Sequence, residues 1–284
     1  MRFKRYNDLN AFRADVFSLL LEDEVLNNLP VSIISDNKNK DTSEWLMCTI
    51  HDDSGRISLI AFCVKPFNIT LYEPTFSRDE NSVALLAHEL RRIGYAPPGV
   101  FAVTELARRF TEVYYGDIGN CSCMSLVLMK LEELLQYDKA PGFYRVLSED
   151  DLTFTPLWEQ AFCIDCRLPA FSLPENEERI RTRLGKDSHF IWEDRLPVAQ
   201  AVYGRETPNG AVINWVYTPP QYRGRGYATS VVAELTKSLL DRGKSFCCLY
   251  ADADNPASRR VYQKLGYYDV CEFEQIQFDV GIRE

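Results

Sequence analysis

The sequence predicts a mixed α/β (α+β) fold, and three observations carry this prediction. Apolar runs of strand length alternate with segments in which apolar residues recur at helical spacing. The chain of 284 residues has room for two domains of ordinary size, and its apolar fraction of 46% supplies a sizeable core. The order helix, three strands, helix, strand, helix, strand also occurs in both halves of the chain. We therefore expect a duplicated fold.

The first half is predicted to begin with a helix from Leu9 to Leu26, whose apolar residues lie broadly on one side. The elements predicted after it are strands at 45–50, 56–64 and 69–72, a helix at 82–93, a strand at 99–103, a helix at 105–114 and a strand at 124–131. The segment 136–142 is polar and contains a Pro-Gly pair, which predicts a linker. The expected domains are therefore residues 1–135 and 141–284.

The second half contains the most informative stretch of the chain. The elements predicted ahead of it are helices at 150–162 and 174–184 and strands at 190–192, 198–203 and 211–217. The loop 222–229, Tyr-Arg-Gly-Arg-Gly-Tyr-Ala-Thr, then opens an amphipathic helix that Gly243 ends. A strand at 246–251 leads into a last helix, with Asn255 as its N-cap, Pro256 in its first turn and Gly266 as its stop.

The loop between the strand and the helix has the composition of an anion cradle. Gly224 and Gly226 let the backbone turn sharply and come close to a bulky anion. The helix that begins there directs free amides and the positive end of its dipole at the same place, and Arg223 and Arg225 add positive charge. This pattern predicts a phosphate or pyrophosphate site, although a tight strand-to-helix turn would use similar glycines.

The charge distribution agrees with an anionic ligand in the second half. The chain has 32 basic and 41 acidic residues, a net charge of −9, which argues against nucleic acid as a partner. The segment 221–266, however, contains eight basic and four acidic residues, which give it a local charge of +4.

The loop and the last helix together resemble the GNAT N-acyltransferase superfamily. That family's loop formula, Arg/Gln-x-x-Gly-x-Gly/Ala, is matched by Arg223, Gly226 and Ala228, and a second register beginning at Gln221 also fits. The family's later helix is matched by Asn255, Ser258, Val261, Tyr262, Lys264, Gly266 and Tyr267. The resemblance covers roughly 141–284, and the Tyr-Thr-Pro-Pro approach to the loop looks most like the glycine N-acyltransferase-like branch.

The resemblance implies a fold and a co-substrate. The fold is a mixed, mostly antiparallel sheet with helices on both faces, and the co-substrate is acetyl-CoA or another acyl-CoA. The pantetheine arm is assigned to Val216, Tyr217 and Thr218, between two strands that part. The pyrophosphate is assigned to the amides of Arg223, Gly224, Arg225, Gly226, Tyr227, Ala228 and Thr229. Asn255, besides capping its helix, would reach the arm.

Acyl transfer to an amine also requires proton transfers. By resemblance, Tyr262 donates a proton to the departing sulfur, and an unperturbed phenol is protonated at pH 7. The alternative interpretation is that Tyr262 is only a packed aromatic residue of an amphipathic helix. No carboxylate occupies 211–217, so Asp252 is the first choice for a general base and Glu206 the second. A base acting through water, or no dedicated base, stays equally open, and Asp252 also suits an ordinary turn.

Two functions from different classes remain open. The first is an N-acetyltransferase that moves an acetyl or short acyl group from CoA to the primary amine of a small molecule. The second is a CoA-binding regulatory or interaction protein without turnover. In the first half, the segment 73–81 has no glycine and three acidic residues, so we expect a degenerate copy without a cofactor loop, which helps define the acceptor pocket.

The remaining features predict a cytoplasmic protein without metal or membrane partners. No apolar run of about 18 residues exists, and the first eight residues contain no signal core. The nine cysteines are expected to be free thiols. Cys163 and Cys166 have the spacing of a redox or half-zinc motif, but no second pair completes it. The oligomeric state stays open.

Overall fold

The computed structural model describes residues 1–36, 41–75, 80–116 and 118–278, and it divides the chain into two compact units. Unit 1 is formed by Met1–Leu128 together with the C-terminal segment from Cys271. Unit 2 is formed by Met129–Val270. The compact units therefore differ from the predicted domains 1–135 and 141–284 in two respects: residues 129–135 belong to unit 2, and the C-terminal segment belongs to unit 1.

Unit 1 contains a mixed sheet. Its strands are β1 (Arg2–Arg5), β2 (Leu46–His51), β3 (Ile57–Cys63), β4 (Ile69–Tyr72) and β5 (Gly99–Val103). Its helices are α1 (Leu9–Glu22), α2 (Asn28–Asp36), α3 (Glu80–Arg92) and α4 (Thr104–Tyr114), and β6 (Cys121–Leu131) follows. Strands β1 to β4 pair successively antiparallel, and β4 pairs with β5 in parallel. The final strand β12 (Tyr268–Phe278) pairs antiparallel with β5.

Helices cover both faces of the unit 1 sheet because side chains alternate along its strands. One core contains Leu46, Cys48 and Ile50 of β2 and packs against α3 and α4. The residue between the first two, Met47, joins the opposite core with residues of α1 and α2. Buried residues on both faces explain why β2 reads as a continuous apolar run.

Unit 2 has the same order of elements. Its strands are β7 (Phe143–Val146), β8 (His189–Asp194), β9 (Leu196–Glu206), β10 (Gly210–Tyr217) and β11 (Phe246–Asp252). Its helices are α5 (Thr155–Asp165), α6 (Leu173–Arg181), α7 (Tyr227–Asp241) and α8 (Pro256–Leu265). Strands β7 to β10 pair antiparallel and β10 pairs with β11 in parallel, so the predicted mixed, mostly antiparallel fold is confirmed. Helix α7 packs on β8 to β11, while α5 packs on β10 and α6.

The order strand, two helices, three strands, helix, strand, helix, strand occurs twice, which fits a duplicated fold, although the duplication itself stays a prediction. Four elements, β1, α2, β7 and β12, were not predicted from the sequence. Strands β1 and β7 have only four residues each, and β12 interleaves many polar side chains, so none gives a strong apolar signal. Of the glycine-free segment 73–81, residues 76–79 lie outside the described part.

The predicted linker 136–142 is an integral part of unit 2. The Ala140 amide donates to Ser230 Oγ of α7 at 2.8 Å, and Lys139 pairs with Glu234 at 2.6 Å. Gly142 has φ +103°, and a Cβ there would lie 2.2 Å from the Glu193 carbonyl oxygen. Only glycine fits this turn, because any side chain would overlap the backbone of β8.

Two further sequence expectations concern membranes and cysteines. Within the described ranges, none of the helices is both long and apolar enough to cross a membrane. All nine cysteines are free.

A buried histidine gives unit 2 a defined response to acid. His189 of β8 has no exposed surface, and its Nε2 lies 3.2 Å from Gln200 Oε1. Burial, aided by the charge of Arg183, lowers the pKa of His189 to about 3. The folded protein therefore keeps this imidazole neutral, whereas the unfolded chain protonates it below about pH 6.5.

We expect the free energy of unfolding to fall as pH decreases from about 6.5 towards 3, because His189 binds a proton in the unfolded chain and does not bind one in the folded protein. The contribution of His189 is about 1.4 kcal/mol per pH unit. His189→Gln should remove this part of the slope in urea denaturation measured from pH 7 to 4.5. His88 of α3 is exposed, so His88→Gln is the matched control and should leave the slope in place. Equal slopes in the two variants would contradict the assignment.

Candidate functional site

The site begins where two parallel strands separate. β10 pairs with β11 at three positions, from Gly210 opposite Phe246 to Val212 opposite Cys248. Both strands are fully described and continue beyond this point, β10 to Tyr217 and β11 to Asp252, without further pairing to each other. The backbone of β10 after Val212 is thereby left available on its β11 side. An extended ligand can add to such an edge through backbone hydrogen bonds.

A bulge in β10 redirects the strand at the same level. The register against β9 shifts between Asn214 and Tyr217, and Trp215 has φ +52°. A positive φ is costly for an aromatic residue, and such strain is typical of functional sites. The bulge is held from β9, since Gln200 Nε2 donates to the Trp215 carbonyl at 3.4 Å. Gln200 is itself fully buried against His189, so this support is rigid.

The glycine loop has the geometry that its sequence predicts. Gly224 has φ +77° and Gly226 has φ +81°, and Gly226 is the N-cap of α7. A Cβ at Gly224 would meet nothing within 4 Å, and one at Gly226 would meet only Ala140 Cβ, at 3.7 Å. The glycines therefore serve the backbone conformation and leave space above the loop. No side chain caps α7, whose first helical hydrogen bond runs from Ser230 N to Gly226 O. The amides of 227–229 precede that bond and point out of the helix end.

The two arginines of the loop have different surroundings. Arg223 faces its own unit: Nε donates to the Thr218 carbonyl at 2.9 Å, and Nη2 binds Asp165 at 2.5 Å. Its amide donates to Pro220 O at 3.3 Å, so Arg223 braces the loop. Arg225 is exposed. It lines a pocket of about 400 Å³ with Pro141, Asp194, Arg195, Val198, Tyr222 and Tyr227.

Tyr227 anchors the loop through its side chain. The ring is buried, and its hydroxyl donates to Asp194 Oδ2 at 2.5 Å. Only its amide is therefore available to a ligand. Ala228 and Thr229, the next predicted contacts, are half-buried in the first turn of α7.

The predicted arm residues lie along the redirected part of β10. Val216 is half-buried, and the Tyr217 ring is buried 6.1 Å from the ring of Trp158 in α5. Thr218 follows, and its Oγ1 is buried without a hydrogen-bond partner among the described residues. An unsatisfied buried hydroxyl beside the separated strands is a group that a bound ligand can satisfy.

Helix α8 positions the predicted acid. Asn255 Oδ1 accepts from Ser258 N at 3.1 Å, which is the N-cap bond that its sequence predicts. One side of the helix carries Tyr262, which is buried and packs edge-on against Tyr267. Burial raises the pKa of Tyr262 to about 12, so the phenol is protonated at neutral pH.

A thiol lies beside this phenol. Cys166, at the end of α5, is close enough to interact electrostatically with both Tyr262 and Asp252. Burial is the main cause that raises the pKa of Cys166 to about 11, with Asp252 adding to it. The environment around Tyr262 thus disfavours a thiolate, so a sulfur that leaves as a thiolate here would take up a proton readily.

The two predicted bases have different positions. Asp252 stands at the end of β11 at the level of the bulge, and its Oδ1 accepts from the Asp254 amide at 2.9 Å, as in an ordinary turn. Glu206 lies opposite Ala211, at the start of β10, and pairs with Lys244 at 2.9 Å. Six residues of strand, about 20 Å, separate Ala211 from Tyr217, so Glu206 is remote from the bulge.

A cluster of arginines and aromatic rings surrounds the Trp215 side chain, and the sequence reading did not predict it. The Trp215 ring lies 5.0 Å from Phe162 of α5, and the guanidinium carbons of Arg179 and Arg183 lie 5.1 and 5.9 Å from it. Arg183 also binds Glu159, which has no exposed surface. Helical spacing was the available signal, because 179 and 183 are four residues apart within the predicted helix 174–184.

The comparisons with known proteins agree with this geometry. Residues 194–275 match the model of the family described as "FR47-like protein". Thialysine N-epsilon-acetyltransferase of Sus scrofa is 23% identical over 163 residues, 57% of this chain and 85% of that protein. Acetyltransferase SG1711 of Sodalis glossinidius (strain morsitans) is 28% identical over 124 residues, 43% of this chain and 84% of that protein.

Solved structures show the same fold over almost the whole chain. A GCN5-related N-acetyltransferase from Sphaerobacter thermophilus has a TM-score of 0.68 at 15% identity and covers 97% of this chain and 95% of its own. A GNAT-family acetyltransferase from Colwellia psychrerythraea has a TM-score of 0.62 at 12% identity, covering 98% and 100%. The chain therefore has the fold of these GNAT acetyltransferases, and the family model matches residues 194–275 of it. The glycine N-acyltransferase branch stays a prediction.

Arg183→Gln should destabilise the protein by about 3–5 kcal/mol, because it leaves the carboxylate of Glu159 buried and unpaired. Urea denaturation at pH 7 measures the change. Arg181 is two residues earlier and pairs with Glu177 and Glu149 on the surface, so Arg181→Gln is the matched control and should change stability little. A small effect at Arg183 would contradict a stabilising role for this buried ion pair.

Proposed function

We propose that this protein is an acyl-CoA-dependent N-acetyltransferase that transfers an acetyl or short acyl group to the primary amine of a small molecule. One conjunction carries the proposal: a glycine loop opens α7 with uncapped amides at the level where β10 leaves β11. The first feature suits a pyrophosphate, and the second suits an extended arm that ends in a thioester. The names of the relatives, which are acetyltransferases, support the same activity.

The residues fit acyl-CoA as a co-substrate. The amides of 224–229 would bind the pyrophosphate, since the side chain and amide of Arg223 already have protein partners. Arg225, exposed beside the loop, would add charge. The backbone of Val216, Tyr217 and Thr218 would pair with the pantetheine arm, and the unpartnered Thr218 hydroxyl would gain a hydrogen bond. Asn255, the N-cap of α8 after the end of β11, would touch the arm from the β11 side.

The chemistry follows from what the site presents to a thioester. The neutral amine attacks the carbonyl carbon, a C–N bond forms, the C–S bond breaks, and the amine loses a proton. A backbone amide of 216–218 would stabilise the oxygen that becomes negative. Tyr262 would donate its phenolic proton to the departing sulfur. A phenol with a pKa of about 12 is a weak acid, but burial also raises the pKa of the Cys166 thiol to about 11, so a sulfur in this environment binds a proton tightly.

The base remains open between Asp252, a bound water and no dedicated group. Asp252 is the carboxylate at the level of the bulge, but one of its oxygens already accepts the Asp254 amide. This observation favours a second candidate function, a CoA-binding regulatory or interaction protein without turnover. We place the acyltransferase first because Tyr262 is buried and protonated where a thiolate would form.

We also propose how the activity is divided between the two halves of the chain. The first half would be a degenerate copy of the fold that has lost the cofactor loop, and residues 141–284 would carry the activity. The protein would act in the cytoplasm, with a small amine and acyl-CoA as its partners.

Gly226→Asp should abolish CoA binding in calorimetry, because it places a negative side chain where the pyrophosphate approaches. The matched control is Gly243→Asp, at the opposite end of the same helix, where φ is +90° and a Cβ would meet nothing within 4 Å. Both variants carry the same backbone strain and the same added charge. Only the first should lose binding, and an equal loss in both would contradict the assignment of the loop.

Tyr262→Phe should lower kcat by about 10²-fold while CoA affinity stays nearly unchanged, because the phenyl ring keeps the packing and removes the proton donor. Thiol release with acetyl-CoA and a reactive amine measures kcat. Tyr267→Phe is the control, since Tyr267 is equally buried and its hydroxyl bonds Thr236 at 2.8 Å. It should affect stability and leave kcat intact. An unchanged kcat in the Tyr262 variant, with chemistry limiting the rate, would show a packing role only.

A further inference from the structure

Arg179 of α6 is a cation whose nearest neighbours include two aromatic rings. Its guanidinium carbon lies 4.2 Å from the Phe171 ring and 5.1 Å from the Trp215 ring. Its Nη1 is buried, and within the described part of the chain this atom has no hydrogen-bond partner. Ring contacts stabilise the positive charge but leave the in-plane N–H donors unused.

The groups around Arg179 do not neutralise it. The buried carboxylate of Glu159 is taken by Arg183. Glu175, one turn before Arg179, interacts electrostatically with it, but Glu175 is exposed and accepts from Ser172 in the capping box of α6. Burial raises the pKa of the neighbouring Cys163 thiol, so its sulfur stays neutral. Among the described residues, the buried carboxylate of this cluster therefore pairs with one of its two arginines, Arg183.

The position of this charge links it to the acceptor. Trp215 immediately precedes 216–218, the stretch proposed to hold the arm of acyl-CoA, and its ring turns towards α5 and α6. The anionic groups of CoA are accommodated separately, at the N-terminus of α7. α7 packs on β8 to β11, whereas α5 packs on β10 and α6. A second anion-binding group therefore adjoins the same stretch of β10 from the α5–α6 helix pair.

From these contacts we infer that Arg179 binds a carboxylate of the acceptor, so that the substrate is an amino acid or a similar amine that carries a carboxylate. This inference rests on the proposed acyltransferase function. The planar guanidinium offers paired N–H donors that match a carboxylate, and Phe171, 40% exposed on the segment between α5 and α6, covers it from the solvent side. Displacing the Phe171 ring would give a carboxylate access to Nη1.

The test compares acids with their neutral amides. The acceptors are glycine, β-alanine, 4-aminobutanoic acid, 6-aminohexanoic acid and L-lysine, each beside its carboxamide, because the distance from the amine to the carboxylate is the unknown. Thiol release with acetyl-CoA gives kcat/KM, and ligand-observed NMR in the presence of CoA gives binding without turnover. The protein is used as the full chain, wild type and as Arg179→Gln, Arg179→Lys and Arg181→Gln.

We expect the best acid to exceed its amide by about 10–100-fold in kcat/KM, the effect of one charge-assisted contact. Arg179→Gln should remove that preference through KM and leave the amide unchanged, and Arg179→Lys should restore part of it. Arg181→Gln, on the same helix with its own surface partners, should behave as wild type. The carboxylate that interacts with Arg179, that of Glu175, is exposed, so replacing Arg179 leaves no buried charge unpaired among the described residues and should not unfold the protein.

The outcomes separate this inference from the proposed function. Acids that bind through Arg179 without any thiol release would support the carboxylate site and refute turnover. Amides and acids acetylated equally well would support turnover and overturn the carboxylate site. A third outcome is that Arg179 selects the acyl donor: succinyl-CoA would then be favoured over acetyl-CoA for every amine, and this preference would be lost in Arg179→Gln. That result would overturn the assignment of Arg179 to the acceptor.

Discussion

The separation of β10 from β11 is the constraint on which the candidate site depends. Two parallel strands that pair at three positions and then diverge leave backbone donors and acceptors available inside a folded unit. The bulge at Trp215 fixes the direction of β10 after the separation, and the buried Gln200–His189 pair holds the bulge from β9. The strain at Trp215 persists because these buried neighbours determine its conformation. An extended ligand with a reactive end is the natural complement of this arrangement.

The supports of the glycine loop come from segments that are far apart in the chain. Tyr227 is hydrogen-bonded to Asp194 at the end of β8, and Arg223 is paired with Asp165 at the end of α5. The segment 136–142 completes the support by donating its Ala140 amide to Ser230 in the first turns of α7. The loop itself is therefore free of side-chain caps, while its flanks are fixed, which is the preorganisation that anion binding by amides requires.

Charge placement distinguishes structural from functional side chains in unit 2. Asp151 and Glu159 are buried, and each is paired with an arginine, Arg145 and Arg183, as buried carboxylates require. Arg179 departs from this pattern, because aromatic rings replace a carboxylate partner. Among the described residues, two further buried atoms without hydrogen-bond partners belong to this part of the chain, Asn214 Oδ1 in β10 and Thr218 Oγ1 directly after it. A folded chain rarely leaves such groups unsatisfied unless a ligand completes them.

The sequence by itself determined the local features. It gave the α/β class, most strands and helices, the glycines of the loop and the N-cap at Asn255, because each depends on neighbours within a few residues. Strands β1, β7 and β12 were not found, since their pairing partners, and not their own apolar pattern, make them strands. The tertiary structure alone decided the separation of β10 from β11, the ion pair of Arg223 with Asp165 and the ring cluster around Arg179. These features arise from contacts between residues distant in the chain, and no local pattern records which side chains will meet.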